Sequence, residues 1–217
     1  MKRIFQLILP PILVIAYDKL VSAFANLRNL GKDKLLFEGS DSLFKESVFK
    51  ASVYGEYGVG VSTQWVFENT KIPIYGVDTS EQWINHVKAK INLNSRVELN
   101  WVNLGELGDW GRPLTYDQRD KFKDYIESIW RYPKSKPDVV LIDGRFRVAC
   151  MLYSLLEGEP GSKIFFDDYV NRPHYYIVEE FVKPTKISGR QAMFIVPNIL
   201  NKVGIEKLLD KFIYVWD

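Results

Sequence analysis

The chain predicts a three-layer α/β/α sandwich whose mostly parallel sheet ends in an antiparallel hairpin. Three observations carry that expectation. From about residue 48 onward, short β-rich runs alternate with helical patterns, an order that implies parallel strands joined by right-handed crossovers. The runs at 138–142 and 163–166 are almost continuously apolar, as strands covered on both faces are. Most of the runs end in glycines or carboxylates, and in an open parallel sheet the carboxyl ends of the strands are where ligands bind.

Taken in order, the chain opens with an apolar stretch over residues 1–30. Lys2 and Arg3 precede it, but Pro10, Pro11, Asp18 and Lys19 interrupt the pattern of a secretory signal. Pro11 suits a first helical turn, and Leu13, Ala16, Tyr17, Leu20, Phe24 and Leu27 recur at helical spacing up to about Asn29. This helix packs on its own domain, or else serves a homo-oligomer or a peripheral membrane contact. Residues 31–217 read as one domain.

Within that domain the first strand, Val48 to Tyr57, runs into Gly58-Val59-Gly60, and a helix follows from Ser62 to Thr70. A second strand, Ile72 to Val77, ends at Asp78, after which Thr79 and Gln82 form a capping box for a helix carrying Ile84, Val87 and Ile91. Val97 to Val102 is the third strand. A long connection follows, with turn formers at 108–113 and helix expected over Tyr116 to Arg131. Asp138 to Ile142 is the fourth strand, ending at Asp143. The helix behind it repeats at Val148, Met151, Leu152, Leu155 and Leu156 and stops at Gly158. Lys163 to Phe166, the fifth strand, ends in Asp167-Asp168; Tyr175 to Val182 suits a helix, and residues 186–196 suit a hairpin.

Composition narrows the function. The 217 residues are 47% apolar and 26% charged, which is ordinary for a globular protein, and the net charge of +2 does not point to a polyanionic partner such as nucleic acid. One cysteine, Cys150, and two histidines exclude an internal disulfide and a Cys/His zinc site, and they fit a reducing cytoplasm.

The turn Glu56-Tyr57-Gly58-Val59-Gly60-Val61-Ser62-Thr63 lets backbone approach a ligand closely at a partly positive helix start. Asp78, twenty residues after Gly58, is placed to accept both hydroxyls of a ribose. Nicotinamide enzymes share these features. Two details separate the readings: Thr63 stands where a dinucleotide fingerprint needs a third small residue, and Glu56 would repel a pyrophosphate but suits a positively charged sulfonium ligand.

On these residues, roughly 48 to 197 resembles the class I S-adenosylmethionine-dependent methyltransferases, with their Rossmann-like fold. The resemblance implies S-adenosylmethionine as cofactor. The glycine turn, with Glu56, Gly58, Gly60, Ser62 and Thr63, would hold its methionine part, Asp78 its ribose, and Asn103 and Leu104 would border its adenine. Asp143-Gly144-Arg145-Phe146-Arg147 together with Asp167-Asp168-Tyr169 resembles a bacterial branch that modifies cell-surface sugars or small molecules. No Asn/Asp-Pro-Pro-Tyr/Phe sequence follows the fourth strand, which disfavours amino-directed nucleic-acid methylation.

For the acceptor end, Asp143, Asp168, His174 and Arg145 are the catalytic candidates, and Asp143 also borders the cofactor. Arg145, Arg147 and Arg172 are candidates for binding an anionic group, and Trp110 for stacking on a ring. Asp143, Asp167 and Asp168 could instead hold Mg2+. The leading expectation is O-methylation of a small-molecule or carbohydrate acceptor. Its rivals are an NAD(P)-dependent oxidoreductase and a non-catalytic cofactor-binding scaffold.

Overall fold

The computed structural model describes residues 35–91, 96–131 and 135–217. The expected helix within residues 1–30 lies outside the described residues. Among the described residues no helix is long and apolar enough to cross a membrane.

Seven strands form one sheet: β1 (Tyr54–Tyr57), β2 (Ile74–Asp78), β3 (Val97–Trp101), β4 (Val139–Ile142), β5 (Lys163–Phe166), β6 (Lys186–Ser188) and β7 (Gln191–Ile195). Their spatial order is β3-β2-β1-β4-β5-β7-β6. The first five strands pair in parallel, and β7 runs antiparallel to both β5 and β6. The expected sheet with its closing hairpin is the one observed.

Successive side chains of each strand feed two cores. Tyr57, Val77, Ile142 and Phe166 enter the core shared with α4 (Phe122–Glu127), α5 (Arg147–Glu157) and α6 (Lys202–Phe212). Tyr54, Ile74, Leu141 and Phe165 enter the opposite core, with α1 (Ser42–Val48), α2 (Val61–Asn69) and α3 (Glu81–Lys90). This two-sided burial is why β1 and β4 are buried at every position, whereas the edge strand β3 alternates buried and exposed residues.

Three expectations change. Val48 closes helix α1 instead of opening a strand, because a short apolar run does not distinguish a buried helix face from a buried strand. The amides of Ser52 and Val53 then bond to the Asp138 carboxylate at 2.8–3.0 Å rather than to a neighbouring strand. Residues 116–131 form the short helix α4 between 3-10 turns, not one long helix. Residues Pro173–Glu180 are 3-10 rather than α-helical. Helix α6, absent from the sequence reading, buries Ile205 and carries Leu208, Leu209 and Phe212 along its inner side at helical spacing.

In the α1 core, Phe44 meets Phe37, Tyr54 and Phe165 edge-on at ring separations of 5.1–5.8 Å. Phe44→Ala should therefore cost about 3–5 kcal/mol, read as a lowered denaturation midpoint. A loss below about 1 kcal/mol would show that this core collapses onto the cavity.

Candidate functional site

The strand order reverses direction between β1 and β4, and the turns after these two strands meet there. Gly58 has φ +92°, a conformation that glycine adopts freely. A Cβ at Gly58 would lie 2.7–2.8 Å from the backbone of Asp143 and Gly144. The close approach opens a cleft of about 780 Å3 above the sheet, bounded by Gly58, Gly60 and Ser62, by Asp78 and by Asp143, Gly144 and Arg145.

Glu56 does not reach this cleft. It points from β1 towards the α2 layer, is fully buried, and accepts hydrogen bonds from Ser62 Oγ and Thr63 Oγ1. Thr63 Oγ1 also accepts from the Gly60 amide at 2.9 Å. The residue that departs from the dinucleotide pattern thus ties the glycine turn to the acid beneath it. Burial pushes the Glu56 carboxyl up to about 8. Glu56 and Thr63 therefore organise the turn from below, in place of the direct ligand contact expected from sequence.

Asp78 does line the cleft. Its Oδ2 accepts from the Val59 amide at 3.0 Å and its Oδ1 from the Ser80 amide at 2.8 Å. The Thr79 amide bonds the same carboxylate, and three donors on its four acceptor positions leave one to offer. Burial, opposed by those amides, raises the Asp78 carboxyl to about 6. Ser80, not Thr79, caps α3, accepting from the Trp83 amide at 3.2 Å. Thr79 instead donates to the Gly111 carbonyl at 2.7 Å and so ties down the long connection that carries Trp110. Trp110 borders the cleft, is 90% exposed and has φ +60°. Asn103 and Leu104 are not among the cleft-lining residues: Asn103 Oδ1 accepts from the Gly105 amide at 3.0 Å, and Leu104 is buried in the core.

At the other end, Arg147 is spent on structure. Its guanidinium reaches the carbonyls of Gly144 and Asp167 at 2.9 and 2.8 Å and the carboxylates of Asp143 and Asp168 at 3.1 and 3.2 Å. It therefore braces the site instead of offering an anion-binding fork. Arg145 donates from Nη1 to the main-chain oxygen of Asp217 at 2.8 Å, while its buried Nε has no hydrogen-bond partner among the described residues. Arg172, partly exposed, bonds Asp168 at 2.9 Å. His174 is 60% exposed, lies 3.9 Å from Asp217 and is not among the cleft-lining residues, so the geometry gives it no role as base. Burial outweighs the Arg147 charge and pushes the Asp143 carboxyl up to about 7.

The candidate Mg2+ site does not fit a metal. Asp143, Asp167 and Asp168 do bring oxygens within 4.8 Å of one another. However, Arg147, Arg172 and Arg190 already bond these carboxylates at 2.8–3.2 Å, so three guanidinium charges face three carboxylates. Arg190, which sequence reasoning missed, lines the cleft from the β6–β7 turn, as Trp83 and Tyr125 do from α3 and α4.

A methyltransferase-like protein from Silicibacter pomeroyi is 31% identical to this chain, over 80% of this chain and 92% of that one, with a TM-score of 0.68. The chain belongs to the class I S-adenosylmethionine-dependent methyltransferase superfamily. An O-methyltransferase from Bacillus cereus, solved with S-adenosylhomocysteine, is 16% identical over 89% of this chain and 96% of its own, at a TM-score of 0.47. An N-methyltransferase from Bradyrhizobium japonicum is 11% identical over 79% and 96%, also at 0.47, and at this distance neither bears on the acceptor. No family model and no curated protein matches the chain. Methyltransferase membership removes the ground for the nicotinamide alternative.

In this methyltransferase fold Gly58→Ala should be costly before any ligand binds, through a positive φ and a backbone clash together worth about 2–4 kcal/mol. Thermal denaturation of the ligand-free protein checks it. A stable variant that merely loses ligand would show that Gly58 serves the ligand alone.

Proposed function

We propose that the protein is an S-adenosylmethionine-dependent methyltransferase acting on a hydroxyl of a small-molecule or carbohydrate acceptor. The observation that carries the reading is Asp78, held at the cleft wall by the backbone amides of Val59, Thr79 and Ser80 with acceptor capacity left over. That arrangement suits a hydroxyl of a ribose. The bare backbone of Gly58 and Gly60 beside the start of α2 suits the amino-acid part of the same cofactor. When bound, S-adenosylmethionine supplies a methyl group carried on a positive sulfur.

The chain's own part is to position the acceptor and take its proton. Asp143 stands in the cleft with Arg147 on Oδ1, and its carboxyl near 7 suits a group that accepts a hydroxyl proton at neutral pH. Arg145 lines the cleft, where its charge can face an anionic group of the acceptor. Trp110, exposed and tethered through Gly111, offers a face on which a sugar or other ring can stack.

Asp78→Ala should weaken S-adenosylhomocysteine binding about 10- to 100-fold, since a hydrogen bond to a charged acceptor is worth roughly 1.5–3 kcal/mol. The pH dependence has a definite sign. Because burial raises this carboxyl, the free protein holds the proton below about pH 6 and is destabilised by losing it as pH rises. The ligand needs the ionised form, so affinity should fall as pH drops through about 6, and Asp78→Asn should flatten that limb. Calorimetric titration between pH 5 and 8 measures both, and an unchanged affinity in Asp78→Ala removes the residue from the site.

Asp143→Asn should lower turnover by roughly 10²–10⁴-fold, whereas His174→Ala should retain it. Release of S-adenosylhomocysteine over a panel of hydroxylated sugars and small molecules is the readout. Binding without release from any acceptor would favour the scaffold reading, and release from amines alone would move the reaction to nitrogen.

A further inference from the structure

Arg190 reaches the acidic cluster through strand register. Strand β7 pairs antiparallel with β5, with Phe166 opposite Ala192. Two residues further on, that register sets Arg190 opposite Asp168, and the Val170 amide donates to the Arg190 carbonyl at 3.1 Å. The hairpin turn thus delivers a guanidinium to the place where the carboxylates of Asp143, Asp167 and Asp168 converge.

What it does there is specific. Nε and Nη2 of Arg190 donate to Asp167 Oδ2 at 3.1 and 2.8 Å, and Nε lies 3.0 Å from Asp168 Oδ1. Asp167 is fully buried, and a buried carboxylate needs a paired cation. Asp168 has φ +58°, a left-handed conformation that persists when its surroundings hold it, and three guanidiniums do so here.

We propose that Arg190 is the resident cation of the Asp143–Asp167–Asp168 cluster, a positioning residue that with Arg147 and Arg172 neutralises the cluster and keeps divalent metal out. The three guanidiniums balance the three carboxylates of the cluster, and Arg190 Nη1 also reaches the exposed Glu38 at 3.3 Å. A divalent ion entering the cluster would add two positive charges beside three guanidiniums that already hold one oxygen of Asp143, one of Asp167 and both of Asp168, which leaves Asp167 Oδ1, buried and without a partner among the described residues, as an uncommitted oxygen. Asp143 and Asp168 are thereby aimed at the cleft by protein groups alone. Exclusion of metal by Arg190 is independent of the acceptor, whereas its part in positioning Asp143 and Asp168 rests on the methyltransferase reading.

The probe is Mn2+ alone, followed by electron paramagnetic resonance, with S-adenosylhomocysteine titration as a separate measure of the folded cofactor end. The wild type should show no saturable Mn2+ binding. Arg190→Ala should acquire it, Asp168→Asn in the same chain should remove it again, and Arg190→Lys, which restores a cation, should bind none. S-adenosylhomocysteine affinity should stay within about twofold in all four proteins, since Arg190 and Asp168 bond neither Asp78 nor the glycine turn. If Arg190→Ala does not fold, Arg190→Gln, which keeps much of the length and loses the charge, serves the same comparison. Saturable Mn2+ binding by the wild type that Asp168→Asn abolishes overturns the proposal. So does a neutral Arg190 variant that binds S-adenosylhomocysteine normally yet takes up no more Mn2+ than the wild type. Loss of S-adenosylhomocysteine binding by the wild type itself would instead count against the methyltransferase reading and leave the Mn2+ comparison standing.

Discussion

The turn after β1 and the turn after β4 pass so closely that neither Gly58 nor Gly144 has room for a side chain. That constraint follows from parallel pairing of β1 with β4 at the point where the strand order reverses. Connections leave the sheet on opposite sides there, and a crevice must open between them. Gly58 supplies the positive φ, and Glu56, bonded to Ser62 and Thr63, holds the turn against the start of α2 from below. The rest of the cleft is built outward from this contact: Asp78 on the β2 side, Asp143 and Arg145 on the β4 side.

The two ends of the cleft handle buried charge in different ways. Asp78 is stabilised by backbone amides, so its oxygens keep capacity for a ligand that donates hydrogen bonds. The Asp143–Asp167–Asp168 end is stabilised by guanidiniums, which leave the cluster balanced. Burial raises Glu56, Asp78 and Asp143 alike, because desolvation is the largest influence at each. Desolvation thus favours the neutral form of all three, although only Asp78 and Asp143 face the cleft. Of the described non-glycine residues with positive φ, Trp110 and Asp168 line the cleft, and Phe146 is buried in the core between the cleft-lining Arg145 and Arg147.

Features local in sequence were legible before the structure was seen. Gly58-Val59-Gly60 and Asp78 sit beside their strands, so a short spacing carries their positions, and both line the cleft. The direction in which a local residue points was less legible: Glu56 adjoins the turn yet faces α2, because the pleat of β1 sends alternate side chains to opposite layers. His174 follows the fifth strand as a base would, but the 3-10 segment carries it to the surface beside Asp217.

By itself the sequence determined the order of the strands, the parallel sheet with its antiparallel close, and the glycine turn with its acid, because each depends on periodicity or on residues within about twenty positions. Only the tertiary structure decided which charges meet. Arg190 joins Asp167 and Asp168 through β-pairing across more than twenty residues, Thr79 leaves its helix cap for the carbonyl of Gly111, and Arg145 binds the main chain of Asp217. Each of these contacts lies between segments that periodicity describes separately, and a carboxylate or guanidinium pairs with whatever folding brings within about 3 Å rather than with what stands near it in sequence.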